Sequence, residues 1–442
     1  MCIRDSLYKA LMCLGIAAPA FAQYGGPAIL SRGEAPAAMA TPEIDFRPFL
    51  TVSGTYDTGL AAVSVNSQGQ LANASSFGMQ FGWGVSGTHS WKHTKIGLDY
   101  KGSINDYFTK TYYDGLNQSL GLGITHEFSR RLVMSLSEST GIFSQNYTTL
   151  GLPQTVPFDS SQSNIPVSDF FDNRTIFSST SADLIYRMNS RLSYDIGGSY
   201  FTDIRRSSAL YGSNGLSAHG DFQYRLTRRT TMGVQYGYSH YTFPGITGST
   251  DMHTLSGTFS TRLSKMWEFS GSAGAIRVES NFIESVPLNP VVAELLGVSS
   301  GLAVLYNKQY VPGFSGRLSA TFRKGVFYLT GGRSITPGNG LFLTTEMTSA
   351  ALGYSYTGLR HWSLTAQALY DHGTSLGNIL GIYGDASGGL TVSRDIIKSV
   401  HFLAGADARR YLSPSFTLYN RTVYDAHIGL GWTPGNVPLR LW

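Results

Sequence analysis

The feature that most limits what this chain can become is a two-residue alternation of side-chain character that returns, segment after segment, from Phe46 onward. In the stretch Phe77, Met79, Phe81, Trp83, Val85 the odd positions are large and apolar, and Gly78, Gln80, Gly82, Gly84 and Ser86 between them are small or polar. Successive side chains on an extended strand point to opposite faces, so such a segment gives a sheet one oily face and one wet face. The same split recurs in Leu120, Leu122, Ile124 against Gly121, Gly123, Thr125, and in Leu192, Tyr194, Ile196 against Ser193, Asp195, Gly197. It returns in Phe314, Leu318, Phe322 against Ser315, Arg317, Ser319, Thr321, in Trp362, Leu364, Tyr370 against Ser363, Thr365, Gln367, and in Ile428, Leu430, Trp432 against His427, Gly429, Gly431. The segments run roughly 10 to 14 residues, longer than the usual sandwich strand and suited to a tilted membrane crossing.

Between the alternating segments the chain turns in two ways. Short connections fall at His89–His93, Ser129–Arg131, Met188–Arg191, Thr227–Thr230, Ser264–Met266, Arg323–Gly325, Gly358–His361 and Asp395–Ser399. Longer stretches lie at roughly 59–74, 105–117, 146–173, 204–216, 243–251, 279–309, 335–342, 372–384 and 411–421. Nine long connections joined by eight short ones require eighteen antiparallel strands, sixteen being the nearest even alternative. The fold class expected is therefore all-β: a single antiparallel up-and-down transmembrane β-barrel with short periplasmic turns and long extracellular loops. A propeller would repeat four strands per blade with a repeated signature, and none is present.

Composition agrees with a sheet that has lipid on one side and water on the other. Charged residues are only 14%, aromatics are 13%, and Gly reaches 51 of 442 residues. Trp91, Trp267, Tyr328, Trp362, Tyr370 and Trp432 lie near segment ends, where an interfacial girdle needs amphipathic rings. The net charge of +5 is mild, and Lys and Arg recur at intervals without clustering, so nucleic acid is not an expected partner.

The first 22 residues read as a secretory signal: Lys9, an apolar run from Ala10 to Ala18, then Ala20-Phe21-Ala22 before Gln23. Met1–Ser6 fits an n-region poorly, since Asp5 offsets Arg4, and resembles sequence fused ahead of the true start. Both cysteines, Cys2 and Cys13, fall in this leader, and Met12 is too large for lipoprotein-type processing at Cys13. Residues 23–44, rich in Ala, Pro and Gly, are expected to be a disordered lead too short for a globular plug, with the barrel spanning 45–442. The final strand and the terminal Trp442 resemble the signal read by the outer-membrane assembly machinery, although Pro434, Gly435 and Pro438 interrupt the alternation before the end.

The charged side chains expected to face the lumen are Asp99, Lys101, Glu127, Asp183, Asp195, Asp221, Arg225, Arg317, Asp371, Asp407, Arg409 and Asp425, with His427 beside the last. Other inward positions are mostly Gly, Ser, Thr or Gln, too small to fill so wide a barrel, which leaves the interior to water. Two connections exceed what a hairpin needs, 146–173 and 279–309, and either could fold inward to narrow the pore. Pro290–Leu296 and Leu302–Tyr306 in the second are apolar enough for a short helix, expected to hide in the lumen. Asp425 with His427, and Asp251 with His253, could be written as acid and base pairs. No nucleophile or oxyanion arrangement accompanies either, and no cluster shows metal-ligand spacing, so neither catalysis, cofactor nor metal is expected.

Residues 46–442 as a whole resemble a porin-like bacterial outer-membrane β-barrel, a resemblance of architecture and patterning with no family-specific motif. It implies residence in the outer membrane of a Gram-negative-type bacterium, with outer-membrane lipid around the wall. It implies passive diffusion of small hydrophilic solutes by size and lumen charge, and is compatible with a homo-oligomer. The alternative is a non-transporting or occluded surface barrel that binds a glycan or protein partner, for instance one accompanying polysaccharide export.

Overall fold

The computed structural model describes residues 45–60, 74–109, 114–143, 175–206, 210–246, 248–287, 294, 299–338, 340–356, 358–359, 361–376, 381–397, 399–414 and 420–433. The leader, the N-terminal lead, the long connection expected at 146–173 and the C-terminal Pro434–Trp442 lie outside the described residues.

Eighteen strands form one closed antiparallel sheet. They are β1 Asp45–Leu60, β2 Ala74–Ser90, β3 Thr94–Tyr107, β4 Gly115–Glu127, β5 Leu132–Phe143, β6 Thr175–Arg187, β7 Leu192–Arg205, β8 Ser213–Arg225 and β9 Thr230–Thr242. The second half is β10 Gly248–Arg262, β11 Trp267–Pro287, β12 Ser300–Phe322, β13 Gly325–Gly338, β14 Leu343–Tyr356, β15 Trp362–Ser375, β16 Ile382–Ile397, β17 Val400–Leu412 and β18 Arg421–Trp432. Each strand pairs with its sequence neighbours, and β1 pairs with β18 from Leu50↔Trp432 to Asp57↔Asp425, which closes the ring. Closure satisfies the backbone groups between strands and removes sheet edges, the condition for strands to cross lipid.

The short turns share one local chemistry. Ser129 Oγ accepts from the amides of Arg131 and Leu132, and Asn189 Oδ1 from those of Arg191 and Leu192. Thr227 and Ser264 serve their own turns in the same way. A short polar side chain thus replaces the missing cross-strand acceptors where the chain reverses, which is why basic Ser-, Asn- or Thr-led tetrapeptides mark this rim.

Outward positions are apolar and in the open: Phe77, Ile196, Leu255, Leu352, Tyr424 and Ile428 are each more than 40% exposed. A continuous oily exterior of this kind suits lipid as its solvent, and the architecture is that of an up-and-down transmembrane β-barrel. Carboxylates break the pattern at several outward positions, Asp251 and Glu138 among them. Glu138 stands on the outer face of β5, where the hydroxyls of Ser178 and Thr180 on β6 donate to it. Tyr328 also departs from the expected girdle. It takes the inner face of β13 opposite Gly353, whose bare Cα gives the ring room, because Tyr328 shares parity with Thr330 and not with the exposed Leu329.

The largest departure is within 279–309, expected to be a loop with Pro290–Leu296 and Leu302–Tyr306 apolar enough for a short helix in the lumen; apart from Glu294, Pro290–Leu296 lies outside the described residues. β11 and β12 instead run on as a hairpin paired from Trp267↔Ala320 to Pro287↔Ser300, with strands of 21 and 23 residues. Val304, Leu305 and Tyr306 are strand residues and are 68%, 42% and 58% exposed, so they do not hide inside. Val304 pairs with Ile283, Leu305 with Phe282 and Tyr306 with Asn281, and for these residues that pairing prevails over a short helix.

Candidate functional site

On the inner face the structure places Asp99 and Lys101 on β3, Glu127 on β4, Asp183 on β6, Asp195 on β7, Asp221 and Arg225 on β8, and Arg317 on β12. Asp371 on β15, Asp407 and Arg409 on β17, and Asp425 and His427 on β18 have the same parity within their strands. The ladder then decides which of them meet. Lys101 Nζ lies 2.8 Å from Asp99, and His219 Nε2 lies 3.5 Å from Asp183. Asp195 stands directly opposite Asp221, and Asp371 opposite Asp385. Arg409 Nε donates to Asp385 at 2.8 Å. Asp407, Asp425 and Asp57 occupy one cross-strand row on β17, β18 and β1. Uncharged inner positions are also paired: Gln80 donates to Asn105 at 2.8 Å, and Asn117 to Ser103 at 3.3 Å.

The two candidate acid and base pairs have different fates. Asp251 and His253 are on the outer face, where Asp251 accepts from Tyr238 at 2.6 Å and lies 2.9 Å from His240 Nδ1. His253 Nδ1 is 2.8 Å from the Tyr236 hydroxyl. Asp425 and His427 are inside, with Oδ1 and Nδ1 3.7 Å apart, beyond hydrogen-bond length.

The interior is not left wholly to water. The β12–β13 ladder stops at Phe314↔Arg333, whereas β13 and β14 stay paired with each other up to Gly338↔Leu343. Beyond Arg333 this hairpin leaves the wall and enters the barrel. Ile335 shares parity with lipid-exposed Leu329, yet is only 6% exposed, because it packs with Ile276, Val278 and Phe282 of β11 and Val311 of β12. Those four belong to the inner wall, so the hairpin's former outer face lies against it. Phe201, Tyr241, Phe243, Met252 and Leu343 complete the cluster. Arg333 and Glu346 form an ion pair where the hairpin departs.

The hairpin tip reaches distant strands. Phe342, Leu343, Thr344 and Thr345 are all 0% exposed. Phe342 stacks on Tyr383 of β16, centroids 5.1 Å apart and planes 7° apart. The Thr344 hydroxyl lies 2.6 Å from that of Thr250 on β10, and the amide of Tyr211, between β7 and β8, donates to Gly340 at 2.9 Å. Leu376 N donates to Thr344 O at 2.8 Å. Gly338 and Gly340 adopt φ of 84° and 87°, and a Cβ at Gly338 would strike the Phe342 carbonyl, so this turn requires glycine there. Thr344 is β-branched and still holds φ 48°, a conformation sustained by the two bonds just described. Beneath the tip, Arg205 and Asp203 of β7 form an ion pair at 3.0 Å with both side chains 1% exposed, and Ser213 donates to Asp203 through its amide at 2.7 Å. Arg205 also lies against Gly340 and within electrostatic reach of Tyr383.

In an eighteen-strand ring, β7 and β16 are nine strands apart, so these contacts cross the barrel from one side to the other. The chord walls off the inner face of β8 to β15 near the long-loop end. On its other side lies the inner face of β16 to β18 and β1 to β7, the arc that holds Asp385, Asp407, Asp425, Asp57 and Asp99, of which Asp57, Asp385 and Asp425 are buried.

Sequence reasoning did not find Asp57, Asp203, Arg205, Asp385 or the tip, because each lay in or beside a stretch read as loop. The signal was present in Pro337-Gly338-Asn339-Gly340 followed by Leu341-Phe342-Leu343: a tight turn with an apolar tip that has to be covered.

No protein-family model matches this chain, and no curated protein does. Solved structures similar to it include OccK2 (OpdF) of Pseudomonas aeruginosa in complex with glucuronate, at 11% identity and TM-score 0.42, over 90% of this chain and 100% of that one. A BenF-like porin from Pseudomonas fluorescens Pf-5 is similar at 12% identity and TM-score 0.42, over 88% of this chain and 99% of that one. The ferric-catecholate import receptor Fiu of E. coli K12 is similar at 8% identity and TM-score 0.42, over 89% and 82%. Likenesses this distant assign no cargo.

Proposed function

We propose that this barrel is a channel for passive diffusion of small hydrophilic solutes, with the inward β13–β14 hairpin as its constriction and the acidic arc from β16 through β18 to β7 as the lining of what stays open. The observation that carries the proposal is the chord itself: a buried, hydrogen-bonded hairpin that partitions the lumen and faces a wall of carboxylates, hydroxyls and amides. Such a wall attracts cations and orders water across the aperture. In this proposal Asp99, Lys101, Asp183, Asp407, Arg409, Asp425 and His427 line the path, while Arg317 and Arg225 flank it from the walled-off arc nearer the short turns.

The test is single-channel conductance of the refolded protein in a planar bilayer, beside a variant in which Gly338–Leu343 is replaced by a two-residue Asn-Gly turn. We expect steady ohmic current that favours cations in the native protein and severalfold larger current in the variant. Equal conductance in the two proteins would remove the hairpin as constriction.

The second reading, an occluded barrel that binds a glycan or protein at the cell surface, draws on the β11–β12 hairpin. Tyr306 and Tyr310 there are 58% and 68% exposed, and Lys308 pairs with Glu279 at 3.3 Å beside them. A native protein that is silent, and conducts only when the inward tip is removed, would favour that reading.

A further inference from the structure

We propose that the inner-wall cluster of Asp407, Asp425 and His427, with Asp57 beside it, binds one divalent cation of the zinc class. This goes beyond the channel reading and can hold or fail independently of it.

The ladder fixes the cluster. Asp425 stands opposite Asp407 on one side and Asp57 on the other, so three carboxylates occupy one row across adjacent strands. In the next row His427 lies between Thr55 and Gly405. Side chains directly opposite in a sheet are close neighbours, and like charges placed so repel. A cation between them reverses the sign of that interaction.

Burial and unmet bonding point to a ligand. The side chains of His427 and Asp425 are 7% and 6% exposed. His427 Nδ1 and Asp425 Oδ1 are buried, and neither has a hydrogen-bond partner. Their 3.7 Å separation is too long for a hydrogen bond, but is close to the roughly 3.3–3.5 Å between two donor atoms on one tetrahedral ion with bonds of about 2.0–2.2 Å. One ligand atom from each of Asp407, Asp425 and His427 lies within 4.8 Å of the other two, so small side-chain rotations bring all three into reach. Asp57 is anchored by the Gly59 amide at 2.5 Å and approached by the Tyr107 hydroxyl at 3.5 Å, which leaves it to orient the row from the side.

The wall is shaped to leave the ligands room. Gly405 is opposite His427, and a Cβ there would come within 2.6 Å of Nε2; Gly389 is opposite Asp407, where a Cβ would strike the carboxylate. Of the nearby cationic side chains, Arg409 donates to Asp385, and Arg421 lies over the Tyr411 ring at 5.5 Å and within electrostatic reach of Asp57, the carboxylate at the edge of the row, not one of the three ligands. The donor set selects among ions. An imidazole nitrogen with two carboxylates suits zinc and its transition-metal neighbours, whereas calcium and magnesium prefer oxygen alone.

The experiment uses the full chain in detergent micelles, stripped with chelator and equilibrated by dialysis against zinc chloride, with bound metal measured by elemental analysis. The expected result is one zinc per chain, with binding at least tenfold weaker in the Asp425→Asn/His427→Gln variant. Heat-dependent gel mobility reports whether that variant has folded. In the unmutated protein, zinc should also protect His427 from diethylpyrocarbonate, read by mass spectrometry, so the proposal stands or falls even if the variant misfolds. Absence of binding, undiminished binding in the folded variant, or failure to protect His427 would overturn it. Loss of the zinc in Asp183→Asn/His219→Gln instead would place the ion at the other inner-wall trio and overturn it as well. Calcium bound as tightly as zinc would remove the role given to the imidazole.

Discussion

Two arcs of the inner wall obey the same alternation and present opposite chemistry to the lumen. From β7 to β14, near the long loops, the inner face presents Phe201, Tyr241, Met252, Ile276, Phe282 and Val311, all buried. From β15 through β18 to β3 the inner face presents Asp371, Asp385, Asp407, Asp425, Asp57 and Asp99. A strand with one wet face alternates; a strand dry on both faces reads as a nearly continuous apolar run. Tyr200-Phe201 on β7 and Phe282-Ile283 on β11 show the second pattern locally. The difference teaches that apolar residues on the inward parity of a barrel strand report an occupant, here the β13–β14 hairpin.

That contrast can be broken by substitution, beginning where the effect should be largest. Arg205→Met leaves Asp203 charged and buried without its partner, and should lower unfolding stability by about 3–5 kcal/mol. Denaturant titration followed by Trp fluorescence would show it, and adding Asp203→Asn should recover most of the loss. Phe342→Ala removes the ring stacked on Tyr383; the loss should be about 3 kcal/mol, with larger single-channel conductance in the same protein. Were both quantities unchanged, the dry arc would not depend on its occupant. Thr250→Val deletes one hydroxyl bond to Thr344 and should cost about 1 kcal/mol in the same titration.

On the acidic arc the sign should reverse. Asp407→Asn in chelator-treated protein relieves a like-charge pair and should raise stability by about 0.2–1 kcal/mol, while reversal-potential measurements show a weaker preference for cations. Tyr310→Ala, on the exposed β11–β12 hairpin, should change stability by no more than about 0.5 kcal/mol; a larger loss would mean that this hairpin also has a packing partner.

The ring itself was legible because its information is local. Turns such as Ser129-Arg130-Arg131 and Thr227-Arg228-Arg229 carry their own acceptors, so eight reversals could be read without knowledge of the rest, and the eighteen strands follow from counting them. The faces of β2, of β7 from Leu192 to Gly197 and of β18 from His427 to Trp432 were equally plain, since apolar and polar or small side chains alternate there. What could not be read was relative: alternation separates two faces but does not say what fills the inside. Ile335 and Leu329 lie on one face of one strand, yet one is buried in the lumen and the other is open to lipid, a distinction made by a ladder that stops at Arg333. The trio of Asp407, Asp425 and His427 shows the same limit. Its members are 18 and 20 positions apart at the extremes, a spacing without meaning until β17 and β18 bring them into register.

The inward hairpin also bears on the order in which this molecule can be assembled. Its Thr344 hydroxyl meets one 94 positions earlier, and the seam between β1 and β18 joins Thr58 to Tyr424 across 366 positions. Contacts between such distant parts of a chain form slowly, because the intervening segment must first be restrained. A tip that settles against β7 and β10 while the sheet is still open gives β16, with Tyr383, and the final seam a surface on which to close. In a refolding experiment this makes the hairpin, and not the number of strands, the pacing element: the shortened Asn-Gly variant should reach its compact gel form faster than the native chain.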